Sequence, residues 1–423
     1  MTPLGLRAGT MLRTVEEGRI IDQVMLWGFA FDVREGQAEW ARGEAEQVLE
    51  RWLGLGLGYA TAANGGRLYD PVEVMNFFIA AGRRGEDRFW AERHVATERR
   101  RVFKVHGPAA AGRPPSASAL TPRRFQVRLQ RDYALTGLAP GASARLRFPL
   151  PLEDRALGEL ELKVRAPDGA QVALEPGRLD VRLTVGESRL ATLAMDARFV
   201  ARASVAECEP LSPADRALYV RPKEGMIQVT PRVRAVADSL AGAAADPERK
   251  ASAFQAFLLD NFACGAVPYD QIDPLAPCEW PLDSGWYDCQ MAAALFCALC
   301  RAVDLPARMV SGYELYPEVG AYHYWSEAWF EARGWVPFDP TTWHLSMGGR
   351  DEAWRSVFES GVDYRMKAEV LPRLFTGPST IRLPAAWRML TRLLGEGEEI
   401  RFQDARSGAL VYRDRIAVQV AAA

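Results

Sequence analysis

Ser284–Tyr313, SGWYDCQMAAALFCALCRAVDLPARMVSGY, is the stretch on which the fold turns. From Cys289 to Val303 the residues favour helix, and Ala292, Leu295, Phe296, Leu299 and Val303 line one apolar stripe. Asp304-Leu305-Pro306 stops it. Cys289 therefore falls in the first turn, where the helix dipole and free backbone N–H groups favour thiolate over thiol. A cysteine nucleophile needs that placement, because the thiolate is the attacking species.

Residues 322–341 read YHYWSEAWFEARGWVPFDPT. Two aromatic-rich segments flank Ala332-Arg333-Gly334, the pattern of a β-hairpin with a short loop. Strands alternate faces, so His323, Trp325, Glu327 and Trp329 point one way and Tyr322, Tyr324 and Phe330 the other. On the returning strand Asp339 comes near the position opposite His323, directly or on the diagonal. A carboxylate there holds an imidazole in one tautomer while the other ring nitrogen faces a thiol.

These segments resemble the core of the transglutaminase-like superfamily, a papain-like cysteine fold. The residues that carry the likeness are Cys289 at a helix start, Arg301, Leu305-Pro306-Ala307-Arg308, His323-Tyr324-Trp325-Ser326-Glu327, and Trp335 through Asp339-Pro340-Thr341. The likeness covers roughly residues 205–345. It implies a triad of Cys289 as nucleophile, His323 as general base and acid, and Asp339 as orienter. Where the family often has glycine two residues before the nucleophile, this chain has Tyr287; Asp304 replaces another usual glycine. The Cys289 amide is one expected oxyanion donor. Trp280 and Trp286 are candidates for the second, and Tyr287, Trp325 and Glu327 for the substrate side. For Glu327 a structural pairing with Arg301 or Arg308 is the commoner outcome for such a residue.

The chain has 423 residues, 48% hydrophobic and 25% charged, enough for two or three domains and incompatible with wholesale disorder. Fifty-two basic against fifty-four acidic side chains leave no global basic field for nucleic acid or anionic lipid. No apolar run approaches the roughly 20 residues of a membrane helix. The N-terminus lacks a secretory pattern, and the six cysteines do not form a spaced disulfide framework. A cytoplasmic location is expected.

Further out, residues 1–105 read as a helical accessory domain, with helices ending at Gly54 and starting at Asp70-Pro71. Residues 106–122 read as a linker rich in Pro, Ala, Gly and Ser. Residues 123–205 alternate with period two between turn signals, an antiparallel β domain. Residues 206–423 form the catalytic core, closed by a terminal hairpin over 398–420. The expected class is α+β. Cys297 and Cys300 read as small buried hydrophobes rather than a redox pair; a zinc site with Cys264 and Cys278 lacks paired spacing. His94, His106 and His344 have no catalytic neighbours in sequence. No cofactor, metal or calcium loop is indicated.

The implied reaction is acyl transfer through a Cys289 thioester, from an amide or thioester donor to an amine. Donors would be peptides, proteins or carrier-bound acyl groups, as in natural-product assembly. Hydrolysis by a peptidase or amidase is the first alternative. A non-catalytic binding module is the second.

Overall fold

The α8 helix, Cys289–Ala302, is the centre around which the region holding residues 209–341 is built. All thirteen residues from Gln290 to Ala302 are buried, because apolar elements cover every face. The computed structural model describes residues 14–31, 42–84, 122–153, 157–201, 209–273, 275–315, 322–341, 365–370, 387–394, 397–404 and 409–422. Most of the expected linker, with His94, His106, His344 and Cys208, lies outside the described residues.

Helices α1 (Glu17–Phe31), α2 (Arg42–Gly54) and α3 (Pro71–Arg84) form the N-terminal region with a small sheet of β1 (Val15–Glu16), β2 (Ala60–Thr61) and β3 (Arg67–Tyr69), in the order β1-β3-β2. Trp52, Tyr69 and Phe78 fill its core. The strands are too short to show a period-two pattern, and this is why the sequence reading of this mainly helical region marks none of them. Asn76 of α3 ties this region to the catalytic one. Its amide takes the Ala266 N–H at 2.7 Å and donates to the Ala266 carbonyl at 2.9 Å.

Strands β4 (Arg123–Ala134), β5 (Ser143–Pro149), β6 (Leu157–Arg165), β7 (Gln171–Glu175), β8 (Arg178–Thr184) and β9 (Leu190–Ala201) follow. The order β5-β8-β7 makes a three-stranded sheet. Buried Phe148, Leu179 and Val181 from it meet Phe125, Val127, Leu193 and Phe199 of the larger sheet in one apolar core.

Next come α4 (Pro213–Tyr219), β10 (Lys223–Glu224), β11 (Ile227–Gln228), α5 (Pro231–Ala241) and α6 (Pro247–Asn261). Thr230 and Asp246 cap α5 and α6, each followed by proline at the first helical position. Then β12 (Ala263–Cys264), α7 (Glu279–Ser284) and β13 (Trp286–Tyr287) lead into α8. Strands β14 (Ala307–Glu314), β15 (Tyr322–Phe330), β16 (Gly334–Phe338) and β17 (Arg365–Val370) form an antiparallel sheet ordered β16-β15-β14-β17.

The last strands, β18 (Trp387–Leu394), β19 (Gly397–Asp404) and β20 (Leu410–Ala422), depart from the expected boundaries. They do not stay with the catalytic core. The large sheet has the order β18-β19-β20-β4-β9-β6, and β20 pairs with β4 from Tyr412↔Tyr133 to Ala422↔Arg123. The physical reason is that β4 alternates buried and exposed residues and needs a partner along both edges. Sequence alternation marks strands but not their partners.

Candidate active site

Asp288 sets where α8 begins. Its backbone is extended, and its carboxylate accepts the Met291 amide at 2.9 Å and the Tyr269 hydroxyl at 2.7 and 2.9 Å. Cys289 is thereby fixed at the first helical position. Burial pushes the Cys289 thiol up, and the adjacent Asp288 carboxylate adds to this; the nearby His323 side chain and the Tyr324 backbone pull it down without cancelling the burial. The helix start alone therefore does not yield the free thiolate expected from sequence. A thiolate here depends on the charge of the neighbouring imidazolium.

The hairpin forms as its aromatic alternation predicts. Ser326 pairs with Phe338, and one further step of that register sets Asp339 opposite Trp325, on the diagonal from His323. His323 Nε2 lies 2.7 Å from Asp339 Oδ2. The other ring nitrogen, Nδ1, is left for the thiol. Asp339 Oδ1 accepts the Thr341 amide at 3.1 Å, so the carboxylate is held at both oxygens. Burial alone would push the imidazole down, yet Asp339, Glu314 and Cys289 together hold it well above the ordinary histidine range.

Two residues that no motif marked also meet here. Glu314, at the end of β14, places Oε1 3.8 Å from His323 Nε2. Arg365, at the start of β17, places Nη1 2.8 Å from Asp339 Oδ2. Glu314, His323 and Asp339 bring their donor atoms within 4.8 Å, a spacing that could hold a metal ion. The Arg365 guanidinium beside Asp339 opposes a cation there.

The other sequence candidates separate by position. Trp325 is 1% exposed, nearly parallel to the His323 ring, and carries the Arg365 guanidinium 5.1 Å from its own ring centroid. It is buried against the imidazole and the guanidinium. Tyr287 is fully buried, stacks on Phe262 and donates to the Leu258 carbonyl, so it is a core residue. Glu327 is also withdrawn from any substrate side. It is 1% exposed, with Lys367 Nζ at 2.7 Å and Arg308 Nη2 at 2.6 Å. Arg301 has its own partners in Glu224 and the Ala307 carbonyl. Trp280 and Trp286 are half-buried. Trp286 packs so closely over Gly265 that a Cβ there would lie 2.7 Å from the indole. Cys278, Cys297 and Cys300 are buried, and burial pushes the Cys278 and Cys297 thiols up to about 12.

Residues 234–340 match the family described as Transglutaminase-like superfamily. The chain is 34% identical over 177 residues to a protein-glutamine gamma-glutamyltransferase of Pseudomonas aeruginosa. That alignment takes in 38% of this chain and spans a quarter of the length of the relative. Among solved structures, a candidate cysteine protease from Cytophaga hutchinsonii aligns with TM-score 0.44 and 15% identity, over 71% of this chain and 98% of its own. The periplasmic domain of TgpA from Pseudomonas aeruginosa aligns with TM-score 0.35 and 19% identity, over 54% and 91%. Among the described residues no helix is long and apolar enough to cross a membrane.

Proposed function

Since residues 234–340 form a transglutaminase-like superfamily domain within a mixed α+β chain, we propose that the protein is a cysteine acyltransferase working through a Cys289 thioester. The single observation that carries this reading is the buried His323–Asp339 pair, 2.7 Å apart, acting on the Cys289 thiol at the start of the helix. The papain-like arrangement supports it: the thiol starts a buried helix while imidazole and carboxylate come from an adjacent hairpin.

In this reading the Cys289 sulfur attacks an amide or thioester carbonyl. The carbon–sulfur bond forms as His323 gives its proton to the departing amine or thiol. The neutral imidazole then takes a proton from an incoming amine, whose nitrogen attacks the thioester. A new amide leaves and Cys289 is regenerated. Water in place of the amine gives hydrolysis, and exclusion of water from the site decides between them. The half-buried Trp286, three residues before the nucleophile, suits a restricted channel. The name of the Pseudomonas aeruginosa relative agrees with transfer as the favoured outcome.

Intact-mass spectrometry tests the proposal with glutamine peptides and carrier-bound thioesters as donors, followed by an amine chase. The expected result is an acyl adduct on Cys289 that is discharged to amine. Discharge only to water would make the protein a hydrolase. Absence of any adduct that Cys289→Ala removes would reject the enzyme reading.

A further inference from the structure

We propose that Arg365, together with Glu314, is a positioning residue of this site: it fixes the Asp339 carboxylate against the imidazole and offsets the second carboxylate, so that His323 can both hold and release its proton. The inference rests on the triad reading above and adds two residues that lie outside its motifs.

The geometry is a closed cluster. Arg365 Nη1 is 2.8 Å from Asp339 Oδ2, the same oxygen that His323 Nε2 approaches at 2.7 Å, and 3.8 Å from Glu314 Oε1. Glu314 Oε1 is in turn 3.8 Å from His323 Nε2. The four side chains are at most 11% exposed, so bulk water screens them little. Trp325 closes one side, with the imidazole and the guanidinium both against its ring.

Two carboxylates beside one imidazole, without a counter-charge, would stabilise the imidazolium so strongly that it would be a poor acid toward a leaving group. Arg365 supplies the counter-charge from the far side. The groups facing His323 come from every neighbouring element: Cys289 from α8, Glu314 from β14, Asp339 just after β16, and Arg365 from β17 through Asp339. Removing Glu314's charge should therefore weaken the imidazolium, and removing Arg365's charge should strengthen it. A residue needed only for packing would not produce opposite shifts.

The test is carboxymethylation of Cys289 by iodoacetate in the full chain, followed across pH. This anionic reagent reacts fastest while the imidazolium is present, so the alkaline midpoint reports loss of the His323 proton. Glu314→Gln should lower that midpoint by about one pH unit and Arg365→Met should raise it by a similar amount. Arg365→Lys, which keeps the charge, should stay near wild type. Thermal melts confirm that each variant is folded, and Glu314→Gln is decisive alone if Arg365→Met is not. Unmoved midpoints, or shifts in the same direction, overturn the inference. His323→Ala separates the two levels. If it leaves the wild-type pH profile intact, the triad reading fails; if it abolishes the alkaline midpoint while Glu314→Gln matches wild type, only this inference fails.

Discussion

Asp339 and Glu327 carry the same charge and are buried in the same sheet region, yet their partners give them different work. Asp339 faces the His323 imidazole, whose protonation changes in the proposed reaction. Glu327 sits between two permanent cations, which outweigh the upward push of burial and hold its carboxyl at about 2. A carboxylate depressed in the folded state contributes stability above its unfolded value and loses it as pH falls through the folded one. Wild type should therefore lose roughly 3 kcal/mol between about pH 4.5 and about pH 2 on this account. Acid titration of stability checks this, and Glu327→Gln should flatten that part of the curve. The same variant removes the buried anion that Arg308 and Lys367 share and should cost about 3–5 kcal/mol near neutrality. At Asp339, by contrast, Asn should lower kcat by roughly 10²-fold or more.

The placement of Cys289 at a helix start and of His323 beside Asp339 was legible because each lies in a short motif whose local structure dictates its direction. Glu314 and Arg365 were not. Glu314 follows the quoted Val310-Ser311-Gly312-Tyr313 by one residue, and Arg365 opens a six-residue strand with no marker of its own. Their roles exist only once β14 and β17 pair. Asp304 was visible as a departure from glycine, and its φ of 58° supplies the reason for the usual residue. Asp304→Gly should raise stability by roughly 0.5–1 kcal/mol in urea unfolding, the strain relieved less the entropy glycine adds to the unfolded chain.

At the scale of elements, the start of α8 and the β14–β17 pair do the positioning. Asp288 caps the helix and also places a carboxylate beside the thiol. Asp288→Asn keeps an acceptor for the Met291 amide and removes the charge. The Cys289 thiolate should then form at lower pH, seen as a downward shift of the acid limb of iodoacetamide labelling. Gly312 pairs with His323 on one side and meets β17 on the other, where the register shifts. A Cβ there would lie 2.0 Å from the Met366 carbonyl oxygen, a backbone atom that cannot swing away. Gly312→Ala should displace β17, and with it Arg365, and lower activity more than it lowers the melting temperature. The hairpin β15–β16 was legible from alternation and a glycine turn. Strand β17 was not, because its partner is fixed by the close approach that Gly312 permits.

Across the whole molecule, the β domain and the catalytic sheet share one apolar core: Tyr313 of β14 and Met366 of β17 are buried with the strands of the sandwich. Arg131 of β4 makes two bonds to Asp414 of β20, at 2.6 and 2.7 Å, and reaches the Tyr313 hydroxyl at 3.4 Å. Asp414→Asn leaves this buried guanidinium under-compensated and should cost about 3–5 kcal/mol by chemical denaturation, with Cys289 reactivity retained at low denaturant. The α+β class and the place of the catalytic motifs were readable from periodicity and order. The sharing of a core between regions was not, since it depends on which strand edges find each other.

The strand order carries a consequence for how the chain comes to be folded. Arg131 and Asp414 are 283 positions apart, and everything in the catalytic region is threaded between them. During synthesis β4 must wait with one edge open until β20 has emerged. Contacts so distant in sequence slow folding, and an open strand edge invites pairing with other chains. Completion of the large sheet is thus tied to a strand made long after β4, and a chaperone that shields β4 in the interval would raise the yield of folded protein.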